Sequence, residues 1–266
     1  MLNFNAHLGF QFTEKPFLKR FEAAASAGFS AVEFPIPYDH EPSVLFDLLQ
    51  EHQLSMVQFA APVGLTKGLA AATSRDAEFR GGLVKAVEYA NRLQCCNVHL
   101  MSGMTIAGAL CTDGQTYLDN LHYAVDYLAD HGIKGLIEVI SATEMPGYYL
   151  CNFDLAEPVL EAIPELGLIM DVYHAQLVSG DGLGLLKHWI DRIHHVQVAD
   201  WPGRHEPGTG RLKFAQVFSF LQRVGYEGWI GCEYRPLIAT NEGLSWLNQW
   251  GVIPKSSLRS PKENSF

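Results

Sequence analysis

Short apolar runs alternate with longer amphipathic stretches from the first residues to about position 250. The runs LNFNAHL (2–8), AVEF (31–34), SMVQFAA (55–61), CNVHLM (96–101), KGLIEV (134–139), GLIMDV (167–172), IHHVQVA (193–199) and WIGCEY (229–234) have the length and composition of buried strands. Between them, FLKRFEAAASAG, SVLFDLLQEH, FRGGLVKAVEYANRL, TYLDNLHYAVDYLADHG and FAQVFSFLQRVG repeat apolar residues every three or four positions, which predicts helices. Several of these end at a glycine, namely Gly28, Gly132 and Gly225, as helices often do. Eight strand-then-helix units in roughly 250 residues predict an α/β protein of the (β/α)8 TIM-barrel type. Nothing resembling a linker interrupts residues 1–250, so one domain is expected there, followed by a polar, mobile tail at 251–266. A doubly wound open sheet is the runner-up, but residues 9–14 read GFQFTE where its Gly-rich phosphate turn would stand.

Composition narrows the function. The chain has 266 residues, 48% hydrophobic and 18% charged, within the range of a soluble globular protein. A net charge of −10, with 19 basic residues that form no dense cluster, argues against a nucleic-acid partner and for a small-molecule substrate. No signal-peptide pattern opens the sequence and no apolar run is long enough to span a bilayer, so a cytoplasmic location is expected. The five cysteines, Cys95, Cys96, Cys111, Cys151 and Cys232, include no CxxC pair and read as reduced thiols. A homo-oligomer is compatible with the sequence, although no interface stands out.

In a TIM barrel the chemistry sits at the carboxyl ends of the strands. There, four consecutive strands offer an oxygen ligand: Glu138, Asp171, Gln197 and Glu233. Neighbouring strands lie about 4.8 Å apart, so inward side chains at one level could converge on a single ion. Alternation supports inward placement, because Leu136 shares a face with Glu138, Ile169 with Asp171 and His195 with Gln197, while Gly231 is expected to leave room beneath Glu233. Three carboxylates and an amide form a hard set suited to Mg2+ or Mn2+, with His174 or His195 able to shift that preference. For any one carboxylate the plainer reading is a salt bridge or a helix cap.

A metal on adjacent oxygens of a keto-alcohol acidifies the C–H between them, and Glu138 and Glu233, separated by two intervening strands, could flank that carbon as base and acid. The loop ADWPGRHEPGTG places Arg204, His205 and Glu206 after strand seven, where they could grip a substrate and stabilise an enediolate, or simply belong to a rigid solvated turn. His174 reads equally as a substrate donor or a cap; His99, Glu33 and His7 read first as paired polar groups inside the barrel, with His99 kept as a substrate-binding candidate.

The stretches IEVISATEMPGYYL, MDVYHAQ, HVQVADWPGRHEPGTG and GWIGCEYRP, followed by EGLSW, resemble the hydroxypyruvate isomerase family. That family includes the 2-oxo-tetronate isomerases and lies within the xylose-isomerase-like barrels. FTEKPFLKRFEAAASAGFSAVEFPIPY and VHLMSG extend the resemblance to nearly the whole chain up to about residue 250. The resemblance implies that Glu138, Asp171, Gln197 and Glu233 are the metal ligands, with Glu138 and Glu233 as the proton-transfer pair. It also implies interconversion of a 2-keto with an aldehyde or 3-keto form of a small hydroxy acid. Val139 and Ser141 stand where the family usually has Pro and Asn, Ala60 replaces an Asn, and the loop after strand three is shorter; because such loops set specificity, these departures bear on the substrate and not on the chemistry. A ketose 3-epimerase, an inosose-type dehydratase and a non-catalytic metal-binding barrel are the alternatives; a DNA-repair endonuclease would need more metal-binding histidines and a basic groove.

Overall fold

The computed structural model describes residues 1–106 and 111–250, and the tail expected at 251–266 lies outside the described residues. Its strands are β1 (Asn3–His7), β2 (Ala31–Glu33), β3 (Ser55–Met56), β4 (Phe59–Ala60), β5 (Asn97–His99), β6 (Lys134–Glu138), β7 (Gly167–Asp171), β8 (Ile193–Val198) and β9 (Trp229–Cys232). All pair in parallel in the order β3-β2-β1-β9-β8-β7-β6-β5-β4. The two ends of that order are consecutive pieces of one segment, which closes the sheet into a TIM barrel. The expected third strand is therefore two short ones: β3 pairs with β2 and β4 with β5, and the chain changes neighbours at Val57–Gln58.

The helices are α1 (Arg20–Ser26), α2 (Pro42–Glu51), α3 (Asp76–Leu93), α4 (Gly114–Ala129), α5 (Phe153–Ala162), α6 (Val172–Ser179), α7 (Gly182–His188) and α8 (Phe214–Arg223). The segment FLKRFEAAASAG starts as a 3-10 turn, Phe17–Lys19, before α1, and another 3-10 stretch spans Glu242–Trp250. Gly28, Gly132 and Gly225 take positive φ just past α1, α4 and α8, as their position in the sequence predicts. Of these, α5, α6 and α7 lie outside the five amphipathic segments quoted above. The first two open on residues whose side chains cap them: Asn152 accepts from Leu155 N and Asp171 from Tyr173 N. No helix among the described residues is long and apolar enough to cross a membrane.

Apolar packing is concentrated between the sheet and the helices, where Leu45, Leu83, Leu121, Leu160, Leu186, Phe218 and Leu221 are buried to 2% exposure or less. Inside the barrel the layering differs. Asn5, His7, Glu33, Gln58, His99, His195 and Gln197 are all buried, in a space that branched apolar side chains commonly fill. A polar interior of this kind costs stability unless each group is paired, which makes its hydrogen bonds the places to look for function.

Candidate active site

Strand register brings the acidic groups together. Asp171 pairs with Gln197 and Gln197 with Gly231, so Glu233 occupies the next inward position after Gly231, while Glu138 pairs with Ile169 one inward step below Asp171. Potential ligand atoms of Glu138, Asp171 and His174 lie within 4.8 Å of one another, all three residues buried. Gln197 and Glu233 join Glu138 in lining a cavity of about 280 Å3 at the carboxyl end of the barrel. His7, Gln58, His99, Lys67 and Arg204 share that wall, and Phe10, Ile36, Met101, Ile140 and Met145 supply its apolar part.

Arg204 stands at the centre of the charges. Its Nη2 donates to Glu233 Oε1 at 2.7 Å and to Asp171 Oδ2 at 3.4 Å, and its Nη1 donates to Glu144 Oε2 at 3.4 Å. The guanidinium carbon lies 4.9 Å from the ring centre of Phe10 and 5.2 Å from that of Tyr173. Its position is set by Asp200, whose carboxylate accepts from the backbone N–H of Trp201, Gly208, Gly210 and Leu212 at 2.8–3.0 Å and so folds the loop after β8. Arg204 takes a φ of 58° at the tip of that turn, in the left-handed region that side chains seldom adopt.

The same loop turns two of the sequence candidates away. His205 Nδ1 lies 2.7 Å from Arg235 O, and the Glu206 carboxylate accepts from Leu237 N at 3.1 Å. Both side chains brace the loop instead of lining the cavity, because a chain reversal that points Arg204 inward sends its neighbours outward. Gly231 also serves a different group from the one expected: a Cβ there would collide with Glu33 Oε1, so its missing side chain makes room for Glu33.

Electrostatics follow from this crowding. Burial, reinforced by the charges of Glu233 and Asp171, pushes the Glu138 carboxyl well above the usual range. Burial likewise raises Glu233 to about 8, with Arg204 opposing and Asp171 adding to the rise. For Arg204 burial works toward a lower value, but Glu233, Asp171, Glu138 and Glu144 outweigh it and keep the guanidinium charged. Burial holds His7 down to about 4, His99 to about 3 and His174 to about 4, so all three are neutral near pH 7. Ser141 N–H donates to His174 Nδ1 at 3.3 Å, which leaves the ring hydrogen on Nε2, 3.6 Å from Asp171 Oδ2. In that tautomer His174 is a donor toward the acidic cluster, not a metal ligand.

A divalent cation fits this donor set. Glu138, Asp171, Glu144 and Glu233 share one arginine, and a cation among them would remove the excess negative charge that raises Glu138 and Glu233. Gln197 Oε1 is a buried acceptor with no hydrogen-bond partner, and all-oxygen sets suit Mg2+ or Mn2+. Reading the sequence alone missed Gln58, Lys67, Glu144 and Asp200. Only Asp200 carried a usable signal, an acidic residue followed by a Pro/Gly-rich turn that needs one acceptor to gather its N–H groups.

The family model of the xylose isomerase-like TIM barrels matches residues 21–250 of this chain. The chain belongs to that family. It is 40% identical to a 2-oxo-tetronate isomerase of Cupriavidus necator, over 94% of this chain and 99% of the relative, and 35% identical to the hydroxypyruvate isomerase of Escherichia coli, over 94% and 100%. Within the barrels it therefore falls in the hydroxypyruvate isomerase group, which includes the 2-oxo-tetronate isomerases, and it is an isomerase. A crystal structure described as an AP endonuclease, family 2, from Brucella melitensis superposes with a TM-score of 0.89 at 39% identity, covering 94% of this chain and 99% of that one.

Proposed function

We propose that the chain interconverts the keto and aldehyde, or 2-keto and 3-keto, forms of a small hydroxy acid such as hydroxypyruvate or 2-oxo-tetronate, using Mg2+ or Mn2+. The observation that carries this reading is the pair Glu138 and Glu233 on one cavity, with two strands between them that carry Asp171 and Gln197. In this reading Glu138, Asp171, Gln197 and Glu233 hold the ion. When bound, the ion supplies Lewis-acid polarisation of the substrate's adjacent carbonyl and hydroxyl oxygens.

One carboxylate of the pair removes the proton from the hydroxyl-bearing carbon, and the electron pair moves into a C=C bond as negative charge passes to the former carbonyl oxygen. The other carboxylate returns a proton to the former carbonyl carbon, and the hydroxyl proton passes between the two oxygens, giving the isomer. Neutral His174 donates from Nε2 toward the developing oxyanion, and Arg204 holds Glu233 and Asp171 in place. The acid's carboxylate finds a cation in Lys67 at the cavity wall. A single domain over residues 1–250, acting in the cytoplasm, belongs to the same reading, and five free cysteines support a reducing compartment. The endonuclease description of the related structure does not carry over, because an acidic cavity in a chain of net charge −10 opposes a polyanionic strand.

The test is proton NMR of hydroxypyruvate and of 2-oxo-tetronate in D2O with the purified protein, with Mn2+ or Mg2+ and then with a chelator. Metal-dependent deuterium entry beside the carbonyl, or appearance of the isomer, is expected. Absence of exchange with both acids at every metal concentration would overturn the substrate class and turn attention to neutral ketoses and inososes.

A further inference from the structure

Below Glu138, Asp171 and Glu233, the barrel interior holds a second polar cluster that the proton transfer does not use. Glu33, at the end of β2, is fully buried at its centre. Its Oε1 accepts from Gln197 Nε2 at 3.2 Å, its Oε2 accepts from Gln58 Nε2 at 3.1 Å, and His195 Nε2 lies 2.6 Å from Oε2. Each carboxyl oxygen therefore faces a donor, Gln197 NH2 on one and Gln58 NH2 on the other, with the His195 ring nitrogen beside the second. It is a carboxylate, and a carboxylate only accepts.

That fixes two amides at once. Gln58 and Gln197 must each turn NH2 toward Glu33, which leaves each carbonyl oxygen turned away from it, and both of those oxygens are buried without a partner. Both side chains line the cavity. The cluster has no slack, since a Cβ at position 231 would strike Glu33 Oε1 and lie 3.1 Å from Gln197 Cγ. In the opposite orientation Gln197 would present a positively polarised NH2 where a cation is to bind.

We propose that Glu33 is a positioning residue that locks the Gln197 amide with its oxygen free for the divalent ion, and so sets the affinity of the site from the far side of the barrel. This rests on the preceding reading of the four ligands. Glu33 reaches Gln197 from β2 to β8, so a residue 164 positions away in sequence decides which end of the amide faces the site.

The experiment is a Mn2+ titration followed by electron paramagnetic resonance on the wild type, Glu33→Gln, Gln197→Ala and the double variant, with thermal unfolding of each metal-free protein. Glu33→Gln keeps the shape but both donates and accepts, so it no longer dictates the flip of its neighbours. The expected result is a Mn2+ Kd weakened about 10- to 100-fold by Glu33→Gln in the wild-type background. In the Gln197→Ala background the same change should move Kd by less than about twofold, because the residue through which Glu33 acts is gone. An unchanged Kd in Glu33→Gln, or an equal loss in both backgrounds, overturns the inference. Should Glu33→Gln fail to fold, Glu33→Ala, which removes the acceptor altogether, runs the same cycle with the same criteria. A wild type that binds no Mn2+ overturns the four-ligand reading and this inference together, whereas wild-type binding with an unaltered variant overturns only the inference.

Discussion

From β6 to β9 every strand runs four to six residues and an inward carboxylate or amide side chain stands at or near its end, whereas from β2 to β5 no strand exceeds three residues. The second group of strands puts its sequence elsewhere. The segment after β4 and the segment after β5 lace together, with Ala71 N–H donating to Ser102 O at 2.8 Å, Met104 N–H to Thr66 O at 2.8 Å and Asp113 N–H to Ala71 O at 3.0 Å. Gly68 takes a φ of 127° there, against Met101 and Gly103, and Lys67 before it takes a φ of 54° and lines the cavity. Half of the barrel is thus a rigid ladder that aims carboxylates, and the other half is a shallow rim that carries a loop cover. Rigid strands can hold charged groups within a fraction of an ångström, which chemistry needs, while loops can change length without disturbing the sheet, which selectivity needs.

The comparison breaks most directly at the ladder. Glu138→Gln and Glu233→Gln should each lower turnover about 10²- to 10⁴-fold, measured by deuterium exchange, while thermal unfolding shows a folded protein. Retention of turnover in both would remove the proton-transfer pair from the mechanism. On the cover, Lys67→Met should raise KM for an acidic substrate roughly tenfold, as expected for one lost charge-assisted contact, and leave kcat within about twofold. If kcat falls in step with kcat/KM, the cover takes part in the chemical step and the division of labour is wrong.

The smallest effect concerns stability. The pKa of His7 is held down to about 4 by burial, against 6.5 in the unfolded chain, so below pH 6.5 the unfolded state takes up a proton that the folded state refuses. Stability therefore falls with acidification through this window, by about 1 kcal/mol from His7 alone between pH 7 and pH 5.5. Urea unfolding of the wild type and of His7→Gln at those two pH values measures it: the variant should lose that much less, and an equal loss in both would assign the acid sensitivity to other groups.

Much of the ladder was legible in the sequence because it is local. Strand-like runs ending on Glu138, Asp171 and Glu233 follow from alternation alone, and the parallel pairing of these strands follows from the helices between them. The cover was not legible, since its pairing joins residues more than 30 positions apart through single bridges, Gly68 with Ser102 and Ala72 with Thr112, that leave no periodic signal. The sequence left His205 and Glu206 open between a substrate grip and a rigid turn for a related reason: next to Arg204 in sequence, they are separated from it by a turn whose reversal Asp200 sets.

By itself, then, the sequence determined the barrel, the strands that carry acid and the class of chemistry those acids suit, because each depends on residues within one or two turns of chain. Tertiary structure alone decided that one arginine would pair with three carboxylates, and that Gly231 would yield its space to Glu33. Those outcomes depend on what faces what across the axis of a closed sheet, where the partners come from opposite ends of the chain and no local pattern records them.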